Sequence, residues 1–209
     1  GGGVEGVAHL LSALTRDEVV GIIARREREW EGVGIPPPLE TLIARLCARA
    51  RLLLVEGVFS GKASTPQAGS NAGVSLRAAS KVLEAMGGVR TPDLALASAL
   101  AANLRMPREG EMTERDAASA ARLLTLLSAR APASARWAAS AAALLVRGLA
   151  ATRADRISAG TAALSLRGAL ATGQLSRPLL TRIAVAAARH EGAAARQEHQ
   201  EEAQGGGGG

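Results

Sequence analysis

Four times the chain sets a hydroxyl residue directly after an apolar one and then enters a helical pattern: Leu14-Thr15, Val74-Ser75, Met112-Thr113 and Ile157-Ser158. Each start is followed by a second helical run: "PPPLETLIARLCARARLL", "TPDLALASALAANLR", "SARWAASAAALLVRGLA" and "SRPLLTRIAVAAARH". With Leu39, Leu94, Trp137 and Leu179 taken as anchors of the second runs, successive spacings are 55, 43 and 42 residues. From cap to anchor the distances are 24, 19, 24 and 21 residues. Repetition at such a period marks stacked helix pairs, because one pair cannot bury its own apolar face and a neighbouring copy covers it. The expected fold is all-α: an alpha-solenoid of about four antiparallel helix pairs, of right-handed type, over residues 1–190, with no sheet.

The starts have local mechanisms. Thr15 with Glu18 fits a capping box, with Leu14 and Val19 as its hydrophobic staple. Thr113 is followed by Glu114 and Asp116, acids in a first turn where the helix dipole favours them. The proline triplet before Leu39 cannot lie inside a helix but suits its first position, where the missing N–H has no partner anyway. Thr91-Pro92-Asp93 puts a cap residue ahead of a proline in the same way. Gly87-Gly88 and Gly173 are candidate left-handed helix stops. The long first spacing is explained by "EGVFSGKASTPQAGSNAG", residues 56–73, which reads as an inserted surface loop. Residues 191–209 form a charged, glycine-rich tail whose first part is able to extend the last helix but lacks an apolar stripe.

Composition agrees with thin helical layers. Alanine supplies much of the apolar content and aromatics make up 1% of the chain, too little bulk for a sheet sandwich. A single cysteine, Cys47, excludes an internal disulfide framework, which fits a reducing or neutral compartment better than secretion. The longest apolar stretch, "WAASAAALLV", is far short of the roughly 20 residues a membrane span requires. Residues 1–190 hold 24 basic against 15 acidic side chains, a net of +9, and Lys62 and Lys81 are the only lysines. Arginine makes forked contacts to phosphate, so this balance favours a nucleic-acid partner.

Catalytic chemistry has no foothold in the sequence. "GVFSGKAS" resembles a phosphate loop, but Gly57 and Gly61 enclose three residues instead of four, and Ala63 follows Lys62 where Ser or Thr is needed. His9, His190 and His199 have no metal-binding helical spacing. Cys47 falls on the apolar side of its run and reads as a small core residue. No Ser, His and carboxylate grouping suggests a nucleophile. The expectation is a protein that is not an enzyme, with no cofactor and no small-molecule substrate. Trp137 sits at an anchor position and reads as core, whereas Trp30, ending "ARREREW", is free to stack on a base or a partner protein.

Paired helices of this repeat length, with a hydroxyl or acid start on one and "PPP" or "TP" on its partner, resemble the octatricopeptide and heptatricopeptide repeats of organellar RNA-binding proteins. "GVGIPPPLETLIARLCAR" looks like the proline-rich turn and second helix of such a repeat, and "LTRDEVVGIIA" and "MTERDAASAARLLTLL" look like first helices. Such arrays also occur in RAP-domain proteins and in lineage-specific mitochondrial ribosome subunits. The resemblance implies a mitochondrial, RNA-contacting subunit of a ribonucleoprotein, most of all the mitochondrial ribosome, beside neighbouring proteins of a large assembly.

If the first helices line the binding face, their polar stripes carry the contacts. Arg77 and Lys81 are one turn apart; Arg115 and Arg122 share a face opposite Ala117, Ala121, Leu124 and Leu127; Arg16 and Arg156 sit near corresponding starts. With few aromatics to stack bases, phosphate and shape recognition of structured RNA is the mode left open. The alternative from the same residues is a protein–protein scaffold or assembly factor without direct RNA binding.

Overall fold

The computed structural model describes residues 4–14, 37–59, 73–88, 93–132 and 135–205. They are mostly helical, as an all-α chain should be. Among them are eight α-helices: α1 (Val4–Leu14), α2 (Pro37–Phe59), α3 (Leu76–Ala85), α4 (Leu94–Ala102), α5 (Glu114–Arg130), α6 (Arg136–Ala151), α7 (Ala159–Ala171) and α8 (Arg177–Gly205). Helices α1, α3, α5 and α7 pack each on the next, and α2, α4, α6 and α8 do the same. The two rows are joined by α1 on α2, α3 on α4, α5 on α6 and α7 on α8.

Three expected caps sit where the sequence puts them. The Ser75 hydroxyl accepts from the Ala78 N–H at 3.1 Å, and that of Ser158 from the Thr161 N–H at 3.3 Å. Thr113 forms a full capping box, its hydroxyl accepting from the Asp116 N–H and its own N–H donating to the Asp116 carboxylate. Thr15, with its proposed box and staple, lies outside the described residues. Among the described residues, the first helix of the odd row is α1, which the cap pattern does not announce and which packs on both α2 and α3.

The second-helix register needs correcting. Leu94 is 42% exposed, whereas Leu96 is fully buried. Asp93 caps α4, its side chain accepting the Leu96 N–H at 2.9 Å, and Leu94 is the first residue of the helix; Thr91 and Pro92 lie outside the described residues. Leu39, Leu96, Ala138 and Leu179 are each the third residue of their helices, and all four are buried. Trp137 is only partly buried and packs against the core.

The expectation of no sheet is also corrected. Val74–Ser75 (β1) and Leu104–Arg105 (β2) form a two-residue parallel ladder. Val74, buried beneath it, donates its N–H to the Asn103 carbonyl at 2.8 Å. The ladder clips the entry of α3 to the exit of α4. Helix α2 continues through Phe59, so Glu56–Phe59 are helical rather than the start of a loop; residues 60–72 lie outside the described residues. Helix α8 runs unbroken to Gly205, so the charged stretch after residue 190 extends the last helix, as its sequence allowed.

Small residues let the odd row pack closely. The buried face of α7 is Thr161, Ala162, Ser165, Gly168 and Ala169. A Cβ on Gly168 would lie 2.6 Å from the Leu124 Cβ, so the absence of a side chain sets how near α7 comes to α5. Gly173 ends α7 in the left-handed region as expected, with φ +67°. Gly87 does not: it lies in a 3-10 turn, and its bare face admits the guanidinium of Arg130.

Candidate nucleic-acid interface

The residues expected to contact RNA fall on α3, α5 and the turn before α7. On α3 nearly every side chain is buried except a strip of Arg77, Lys81 and Glu84. Arg77 is exposed, and among the described residues no carboxylate lies within ion-pair distance of it. Lys81 is half-buried and donates to Nδ1 of His9 at 3.2 Å across to α1. The neighbouring Glu5 of α1 accepts the Ser75 N–H at 3.4 Å, so α1 and α3 share two polar ties beside their apolar contact. Lys81 keeps two further N–H donors after this bond.

On α5 the predicted division of faces holds. Ala117, Ala121, Leu124 and Leu127 are buried, and Arg115 and Arg122 are exposed on the other side. Neither is paired with a carboxylate among the described residues. Asp116, the next residue, is occupied by the Thr113 box. Arg156 is only partly exposed and donates to the Met112 carbonyl at 3.0 Å. That bond pins the connection before α5, where Met112 is buried and also accepts from the Thr152 hydroxyl. Arg156 therefore has a positioning task in the fold. Arg16 and Trp30 lie outside the described residues.

Cap-relative position sorts the exposed arginines. Arg77 and Arg115 each stand two residues after their caps, Ser75 and Thr113. Arg122 stands nine residues after Thr113, and Arg167 stands nine after Ser158. Arg167 is exposed and has no acid on its own helix. It extends the series onto α7 and was legible in the same repeat alignment.

Two more arginines come from a connection. A cleft of about 570 Å³ opens between the starts of α3 and α5 and the segment after β2, with Arg105, Arg108, Glu111 and Asp116 among its lining. Its rim carries Leu76 and Asp116, the chain neighbours of Arg77 and Arg115. Arg105 and Arg108 thus line the cleft, and Arg77 and Arg115 stand on the first turns of the two helices beside it. The sequence signal was "LRMPREG", two arginines around a proline between helical runs. Positive charge is not confined to this row: Arg45, Arg49, Arg136, Arg147 and Arg177 are exposed on even-row helices. Others are tied down, Arg51 to Asp93, Arg153 to Asp155, Arg182 to the Ala150 carbonyl and Arg130 to the Glu84 carbonyl. Burial lowers the pKa of Arg130, with Glu84 opposing the shift.

Cys47 is buried on α2, and desolvation, helped by Asp93, pushes its thiol up from 9.0 to about 11. Such a thiol is nearly all protonated at neutral pH and is a poor nucleophile or ligand. Among the described residues, no group of His, Cys, Asp and Glu is arranged to hold a metal, and every buried side-chain N and O has a hydrogen-bond partner. Nor is any described helix long and apolar enough to cross a membrane. Comparison with protein-family models, curated proteins and solved structures finds no match.

Proposed function

We propose that the chain is a structural, RNA-contacting helical-repeat subunit of an organellar ribonucleoprotein, holding structured RNA through its phosphates. The two packed rows are read as an alpha-solenoid of four helix pairs, α1/α2 to α7/α8, whose odd row offers the binding face. The observation that carries the reading is the set of exposed cations in that row with no carboxylate partner among the described residues, Arg77, Arg115, Arg122 and Arg167, joined by Arg105 and Arg108 at the cleft. Lys81 belongs to it with a shared proton donor, and Arg156 shapes its edge. Arginine without a carboxylate partner is free to fork onto phosphate oxygens. A mitochondrial setting, and the mitochondrial ribosome in particular, rests on the likeness to octatricopeptide-type repeats alone. Neither catalysis nor base reading is part of the proposal.

Electrophoretic mobility of two RNAs with the same hairpin fold and different sequences, across a salt series, tests this. Phosphate binding releases counterions, so affinity should fall linearly in log–log with salt and be nearly equal for the two RNAs. No binding at low salt would dismiss RNA contact. A strong preference for one sequence would dismiss the phosphate mode.

A further inference from the structure

The outer side of the α7/α8 pair has the wrong chemistry for a surface left in water. Leu170, Leu175 and Leu180 are 62%, 40% and 42% exposed and follow one another through the turn between the two helices. On α7, the side toward α5 is Thr161, Ser165 and Gly168, and Ala163, Arg167 and Leu170 lie roughly opposite, all exposed. On α8, Leu179, Ile183 and Ala186 face the core, and Arg182 and Val185 face Ala150 of α6. Leu180, Ala184 and Ala187 point the remaining way and are exposed. In stacked helix pairs an apolar helix face is covered by a neighbouring element. Here that face is a leucine and alanine stripe of the kind that α5 offers to α7 inside the molecule.

The charge around the stripe says what fits it. Helix α7 has no carboxylate, and α8 has none before Glu191. Arg167 and Arg177, both exposed, border the leucines. An apolar stripe flanked by unpaired guanidinium groups matches a helix with leucines on one side and carboxylates on its flanks. RNA gains nothing from the leucines, and a second copy of this face would set like charges against each other.

We propose that the outer face of α7 and α8 docks an acidic amphipathic helix of a partner protein. The helix would lie along α7 much as α7 lies on α5. This surface shares Arg167 with the phosphate-binding set and does not depend on Arg77, Lys81, Arg115 or Arg122.

The probe is a labelled, designed peptide of about 18 residues with Leu at i, i+3, i+4 and i+7 and Glu elsewhere, read by fluorescence anisotropy. Its controls are a scrambled peptide of the same composition and a version with Lys in place of Glu. The acidic amphipathic peptide should bind about tenfold or more tightly than either control. Leu170→Gln with Leu180→Gln should weaken it by about tenfold or more, since each takes an apolar side chain out of the docked face. Arg167→Glu should weaken the acidic peptide and strengthen the Lys version. All three substitutions are at exposed positions, so circular dichroism and melting temperature should stay at wild-type values. Replacing Arg77, Lys81, Arg115 and Arg122 with Ala should leave peptide binding unchanged, which separates this proposal from the RNA reading. Equal binding of the scrambled peptide, or indifference to the leucine substitutions, overturns it. So does a sedimenting dimer that Leu170→Gln with Leu180→Gln abolishes, since the face would then belong to a second copy.

Discussion

Gly168 is the sharpest test of how the odd row packs. Replacing it with Ala places a Cβ 2.6 Å from the Leu124 Cβ and 3.1 Å from the backbone carbon of Leu124 and nitrogen of Thr125. Non-bonded carbons sit best at about 3.5–4.0 Å, so α7 must back away from α5 by about 1 Å or tilt. Two of the three near atoms are backbone, which cannot swing aside as a side chain can. Overpacking generally costs about 1–3 kcal/mol, and about 2–3 where the added atom meets backbone, as here; the better helix propensity of Ala returns about 1. The net should be a loss of about 1–2 kcal/mol, or about 2–8 °C in melting temperature for a chain of this size. Gly160→Ala on the same helix is the control, because nothing lies within 4 Å of its added Cβ. It should be neutral or stabilising by up to about 1 kcal/mol. Urea and thermal unfolding read both. If Gly168→Ala is as stable as the wild type or more so, α5 and α7 do not meet closely at this point and the packing argument fails.

Other consequences are simpler to check. Thr113→Ala removes the hydroxyl that accepts from Asp116 and should cost about 1 kcal/mol by urea unfolding. Ser75→Ala should cost a similar amount for the same reason. Cys47 should react with a thiol reagent about a hundredfold more slowly in the folded chain than in urea at pH 8, because its pKa of about 11 against 9.0 cuts the thiolate fraction tenfold per unit. The sign of the linked pH effect follows. The folded thiol keeps its proton between pH 9.0 and about 11, where the unfolded one has given it up, so stability falls across that window. Cys47→Ala should remove this fall, measured as unfolding midpoint against pH.

What the sequence disclosed was what local chemistry decides. Ser75, Thr113 and Ser158 cap their helices because a hydroxyl, its N3 amide and the turn between them are contiguous in the chain. The division of α5 into a buried Ala and Leu face and an exposed arginine face follows from a period that any helix shares. The anchor of α4 was misplaced on Leu94 because the local pattern does not say which leucine reaches the core: Leu96 is buried and Leu94 is 42% exposed. Helix α1 was missed because it has no described capping signal and gains its place through packing on α2 and α3. The Arg105 and Arg108 cluster depends on the β1–β2 ladder, a pairing across about 30 residues that no local pattern specifies.

We propose that exposed arginines on the odd-row helices hold RNA by its phosphates. The most direct measurement is the salt dependence of hairpin RNA affinity for the wild type and for a variant with Arg77, Lys81, Arg115 and Arg122 all changed to Ala. All four lie off the core, so the variant should keep its helical circular dichroism. The account predicts a shallower log–log slope, by up to about one unit for each phosphate that the variant no longer holds, and weaker binding at low salt. A variant that matches the wild type in affinity and slope at every salt concentration would contradict it.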